Sequence, residues 1–165
     1  MSLPACHGIR RAGAWSGPAS GRIALTYEAR FVRRKRLEAE DGTAFLLDLP
    51  HAESLNHGDA FELSDGRLIE VLAAPEPLLE ITAAAPGELT RLAWHIGNRH
   101  TPCQIAPERL LIARDPVLAD MLRRLGAGLR EITAPFTPEG GAYGHGRTHG
   151  HDHGQHGQHG HSHEH

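Results

Sequence analysis

Leu78-Leu79-Glu80-Ile81-Thr82, followed by Pro86-Gly87-Glu88-Leu89-Thr90-Arg91-Leu92-Ala93-Trp94-His95-Ile96-Gly97-Asn98, is where the chain changes its period. The first segment is a short apolar strand. In the second, Leu89, Leu92, Ala93 and Ile96 recur at helical spacing and form one apolar stripe. Pro86 suits the first turn of that helix, and Gly97 suits its end. Gln104-Ile105 and Leu110-Leu111-Ile112-Ala113 are strand candidates around Pro107. Asp115-Pro116 then opens a second helix, with Asp as N-cap and Pro at the first position. Leu118, Met121, Leu122 and Leu125 form its buried face, Gly126 stops it, and Leu129–Thr133 reads as a last strand. The order is β-α-β-β-α-β, the ferredoxin-like arrangement, over residues 78–138. That fold hosts many functions and selects none.

Upstream the period is two. Leu25, Tyr27, Ala29 and Phe31 alternate with Thr26, Glu28 and Arg30, the signature of a half-buried strand. Phe45–Leu49 is a second strand ended by Pro50. Asp59–Leu63 and Leu68–Leu72 flank the turn sequence Ser64-Asp65-Gly66-Arg67 and read as a hairpin. These segments predict a small all-β domain over residues 22–74. Residues 1–21 read as a flexible N-terminus. Ala73-Ala74-Pro75-Glu76-Pro77 reads as a linker, because prolines disfavour continuous regular structure there. The fold class is therefore α+β, with the ferredoxin-like domain second.

Residues 139–165 have almost no apolar content and are expected to be disordered. Nine of the last 21 residues are histidine, from His145 to His165. Gly, Gln, Asp, Ser and Glu interrupt them, unlike the unbroken run of a purification tag. Neutral imidazole is a good ligand for nickel, copper, zinc and cobalt. A flexible array of imidazoles suits capture and hand-over of an ion.

The net charge of −3 contains no block of one sign large enough to suggest a nucleic-acid binder. The two cysteines, Cys6 and Cys103, do not predict a disulfide, and a reducing compartment fits. Neither a signal peptide nor a membrane-spanning stretch is evident, so the cytoplasm is the expected compartment and no membrane partner is expected. There is no G-x-S-x-G, H-E-x-x-H, P-loop or C-x-x-C, so no catalytic residue is assigned and no enzyme is expected.

His95 falls on the flank of the first helix's stripe, where a boundary histidine bonded to the backbone outweighs a metal ligand. His100 lies past the helix end, in a turn before Pro102, exposed and able to reach a metal or a second subunit; from spacing alone an ordinary surface histidine outweighs a ligand. Cys103 can bind soft metals but reads better as a buried strand thiol. His51 and His57 read as surface residues. Arg33-Arg34-Lys35-Arg36 reads as a solvated strand end or a protein-binding edge.

Trp94-His95-Ile96-Gly97-Asn98-Arg99-His100-Thr101-Pro102-Cys103-Gln104-Ile105 resembles the H-x-G-N-R-H segment of the urease accessory protein UreE family, nickel metallochaperones of urease maturation. Asp115–Gly126 is similar to that family's second C-terminal-domain helix, and Pro135–His145 resembles its approach to a histidine-rich tail. The resemblance implies that His100 is the central ligand, at a homodimer interface where two copies bridge one ion. It further implies that tail histidines complete the site, His145 first, then His149, His151 and His153. The cargo implied is Ni²⁺, with Zn²⁺ or Cu²⁺ able to compete. The implied partners are urease apoprotein and other urease accessory proteins, including the GTPase. The all-β domain is implied to dock partner proteins. Some relatives carry further histidines before the second helix; Arg114, Asp115 and Pro116 stand there, so no peripheral site is carried over. The alternatives are a nickel or zinc storage protein whose tail does all the binding, and a peptide-binding folding factor.

Overall fold

The computed structural model describes residues 2–140. Two units follow one another, mostly strands with two helices. The first comprises β1 (Ala5–Arg10), β2 (Gly21–Leu25), β3 (Phe31–Glu38), β4 (Ala44–Ser54), β5 (Ala60–Leu63) and β6 (Leu68–Ala73). They form one six-stranded sheet in the order β2-β6-β5-β1-β4-β3. Pairing is parallel at β1–β4 and β2–β6 and antiparallel elsewhere. Alternation along β4 puts Phe45, Leu47 and Leu49 inward, where they meet Phe61 and Ile69. The β5–β6 hairpin forms where the turn residues predict it, with Gly66 at φ 87° and Leu63 N–H donating to the Arg67 carbonyl.

Three expectations need correction here. Residues 1–21 are not a loose lead-in throughout: β1 lies inside the sheet, between β5 and β4, and Cys6 is fully buried. Its small residues carry little strand propensity, but pairing on both edges supplies the hydrogen bonds and burial that propensity does not. The strand read across Leu25–Phe31 is not continuous: β2 ends at Leu25, and a turn closed by Arg30 N–H to the Thr26 carbonyl carries the chain into β3. Pro50 does not end its strand. β4 runs on to Ser54, and its register against β3 jumps from Arg34↔Asp48 to Val32↔Glu53. The proline sits in that bulge, where a ladder N–H is not required.

The second unit comprises β7 (Pro75–Thr82), α1 (Pro86–Asn98), β8 (Gln104–Ile105), β9 (Leu110–Ala113), α2 (Pro116–Arg124) and β10 (Gly128–Pro135). Its sheet runs β10-β7-β9-β8, antiparallel throughout. Leu89, Leu92 and Ile96 of α1 and Leu118, Ala119 and Leu122 of α2 cover one face. Burying a side chain such as Ile96 contributes about 1.5–3 kcal/mol. The Asp115 carboxylate accepts from Val117 N–H at 2.9 Å and Leu118 N–H at 3.1 Å, as its N-cap position predicts. The expected linker is already strand: β7 begins at Pro75, opposite Pro135. β9 pairs only with Leu78–Ile81, so β7 is an edge at its two prolines, where proline is tolerated.

The units meet through buried groups. Tyr27 packs edge-on against Phe136 with ring centroids 5.5 Å apart, over Leu78 and Leu111. The Arg30 guanidinium, 2% exposed, donates to the carbonyls of Leu25 and Leu55 in the first unit and Phe136 in the second.

Candidate metal centre

α1 is held by Ile96, which is fully buried, and ends one turn beyond it. Arg99 N–H donates to the Ile96 carbonyl and His100 N–H to the Gly97 carbonyl. Gly97 does not stop the helix; it lies within it. The left-handed position that closes such an end is taken by His100, at φ 56°, the one non-glycine residue with positive φ among those described. Glycine is the usual occupant there, and a side chain at such a φ costs on the order of 1 kcal/mol. The His100 ring is exposed and makes no hydrogen bond or ion pair among the described residues. The backbone therefore holds a strained residue whose imidazole is unused by the fold.

The elements on either side of His100 in the chain each leave one large apolar side chain exposed. Trp94 on α1 is 63% exposed and Ile105 on β8 is 54% exposed. His95 is half-buried as expected of a boundary residue, but the backbone hydrogen bond expected of it is absent. Its ring instead stands edge-on to Trp94, centroids 5.1 Å apart. Cys103 is half-buried and precedes β8 rather than lying in it. Burial, and then the Glu139 carboxylate, push its thiol up to about 11, so without a metal and near neutral pH it is a protonated thiol, the form that binds metal weakly.

After β10 the chain turns back toward this helix end. Thr137 N–H donates to Gln104 Oε1 and Glu139 N–H to the Cys103 carbonyl, each at 2.9 Å. His100 is three residues from Cys103, about 10 Å at full extension, and His145 is six from Glu139, about 20 Å. The root of the tail is thus close enough for its first histidine to reach His100. His145, His149, His151 and His153 lie outside the described residues. Among those described, no group of three or more His, Cys, Asp or Glu side chains is placed to hold an ion.

The other histidines have structural contacts or none. His57 Nδ1 accepts from Ala73 N–H at 3.1 Å and His7 Nδ1 donates to the Asp48 carbonyl at 3.0 Å; His51 is exposed on β4. Arg114 is engaged with the carbonyls of Leu78 and Ile132. Sequence reasoning reached His100 but missed its positive φ, the exposed Trp94 and Ile105, and the anchoring of the tail root. No local signal marked the positive φ, since Gly97 offered a more ordinary left-handed helix end.

Comparison with known proteins agrees along the whole chain. Residues 2–74 match the family model of the UreE urease accessory protein, N-terminal domain, and residues 76–165 match that of its C-terminal domain. The chain is 65% identical over 153 residues to a urease accessory protein UreE of Ruegeria pomeroyi, covering 93% of this chain and 100% of the relative. It is 58% identical over 152 residues to one of Cereibacter sphaeroides, covering 92% and 81%, and 62% identical over 143 residues to one of Rhodobacter capsulatus, covering 87% and 88%. Matches of this extent over both units place the chain in the UreE urease accessory protein family.

Proposed function

We propose that this protein is a homodimeric nickel metallochaperone that delivers Ni²⁺ for assembly of the urease active site. Family membership supports the role in urease maturation. The observation that carries the finer reading is His100: an exposed, unused imidazole on strained backbone, beside the root of a histidine-rich tail. A two-fold axis at this point brings the same residue from each chain to one ion. Exposed Trp94 and Ile105, on the elements that precede and follow His100, are apolar surface of the kind a dimer contact uses. Two imidazoles leave other coordination positions for His145, His149, His151, His153, water or the recipient.

A binding role of this kind requires no catalytic residue. A 21-residue segment that behaved as a random coil would span about 25 Å, giving effective ligand concentrations on the order of mM. The β10-β7-β9-β8 order is read as ferredoxin-like, a platform for the helix end. The first unit is read as the docking surface for urease apoprotein and other accessory proteins, including the GTPase, in the cytoplasm. Ligand chemistry alone favours Cu²⁺ over Ni²⁺ and lets Zn²⁺ compete, so nickel follows from the family. The nine tail histidines favour one rival, a storage protein.

The test is assembly. Trp94→Asp with Ile105→Asp should shift sedimentation from dimer to monomer and remove the tightest nickel site while leaving tail-bound nickel. A variant that becomes monomeric yet keeps its tightest nickel site contradicts the bridging ligand.

A further inference from the structure

β3 is one of the two outer strands of the first sheet, paired to β4 on one side only. Such a strand leaves backbone N–H and C=O groups toward solvent, a template for one more strand. Arg33, Arg34, Lys35 and Arg36 stand along it, all exposed, between buried Val32 and Leu37. Arg34 is paired to Asp48 at 2.7 Å and Arg36 to Glu38 at 3.3 Å. The Arg33 and Lys35 side chains make no ion pair or hydrogen bond among the described residues. Lys35 is opposite Leu47, and Arg36 is opposite Leu46, which is 46% exposed. Metal handling at His100 uses none of these groups.

We propose that the β3 edge docks an extended acidic segment of a partner protein, added as a seventh strand with its carboxylates on Arg33 and Lys35. This rests on reading the first unit as the docking unit and names where it docks. An acidic strand satisfies the open backbone edge and the two unpaired cations together. A second copy of β3 would set two unpaired cations against two, which cross-strand pairing disfavours. Nucleic acid fits less well. Two of the four cations are already neutralised, and two phosphate contacts give a salt dependence of only about −1.8 in log–log slope.

The test is fluorescence anisotropy on the full chain with a labelled peptide alternating Val with Glu. R33E/K35E should weaken binding about tenfold or more, and R33Q/K35Q by less. Methylating alternate peptide nitrogens, which keeps charge but removes pairing N–H groups, should also weaken it about tenfold. Three outcomes overturn the proposal: no binding of the Val–Glu peptide, equal binding of the methylated peptide, or tighter binding of duplex DNA at the same salt. Nickel titration of the unaltered chain separates this from the delivery reading. An unaltered chain with its interface nickel site but no peptide binding overturns the edge alone. A chain that binds the peptide but lacks an interface nickel site overturns delivery and leaves the edge standing.

Discussion

Arg30 in the first unit and His100 in the second are opposite uses of a polar side chain. Arg30 is 2% exposed, and its donors reach carbonyls on both units. His100 is exposed, strained at φ 56°, and its ring bonds to nothing described. A buried group with its donors engaged is structure, and removing it leaves partners unsatisfied. An exposed group on backbone better suited to glycine contributes little to folding, so another use must account for it. Stability and metal binding should therefore separate cleanly between the two positions.

The sharpest break is Arg30→Met. Leaving buried carbonyls without donors should cost about 3 kcal/mol or more, read as a lower denaturation midpoint, while the protein that remains folded keeps its nickel site. A loss under about 1 kcal/mol would remove Arg30 as the joint.

Glu80 is next. Its carboxylate bonds Arg109 at 2.8 Å and Arg130 at 3.1 Å. Those bonds, Arg109's first, hold it below the usual carboxylate range. A depressed folded-state pKa gives stability that is present above the unfolded value near 4.5 and lost as pH falls through the folded value. Glu80→Gln should lower stability at pH 7 on the order of 1–2 kcal/mol, and the difference should vanish on acidification. A difference that persists unchanged at pH 2–3 would contradict the ion-pair account.

Smaller still, and opposite in sign, is His100→Gly. Relief of the left-handed backbone should leave stability unchanged or raise it by up to about 1 kcal/mol, while abolishing the tightest nickel site. A clear loss of melting temperature would show that the ring packs after all.

Cys103 gives the smallest stability effect. A thiol pushed up from 9.0 to about 11 stabilises the fold below pH 9, and that contribution fades as pH rises through 11. At pH 8, iodoacetamide should label it on the order of a hundredfold more slowly than a free cysteine. Labelling at the free rate would reopen it as a ligand.

How much of this was legible follows from the same contrast. Both helices and the β5–β6 hairpin were readable, because periodicity, Asp115 and Gly66 act locally. β1 was not, since Ala5–Arg10 owes its strand to neighbours far along the chain. Neither was the strand character of Pro75 and Pro77, which depends on where β9 stops pairing. His100 could be named from its motif, but its strained backbone could not, because Gly97 offered a more ordinary helix end. Arg30 looked like the polar half of an alternating strand, and only the second unit folding against it made it buried.

The central claim is that His100, and not the tail alone, holds the transferable ion. Calorimetric nickel titration of the full chain, His100→Ala and a chain ending at Gly144 tests it directly. The account predicts that His100→Ala loses the tightest site but keeps most of the capacity, while the shortened chain loses capacity but keeps one site per dimer. A tightest site that survives His100→Ala and disappears with the tail would contradict it and leave a storage protein in its place.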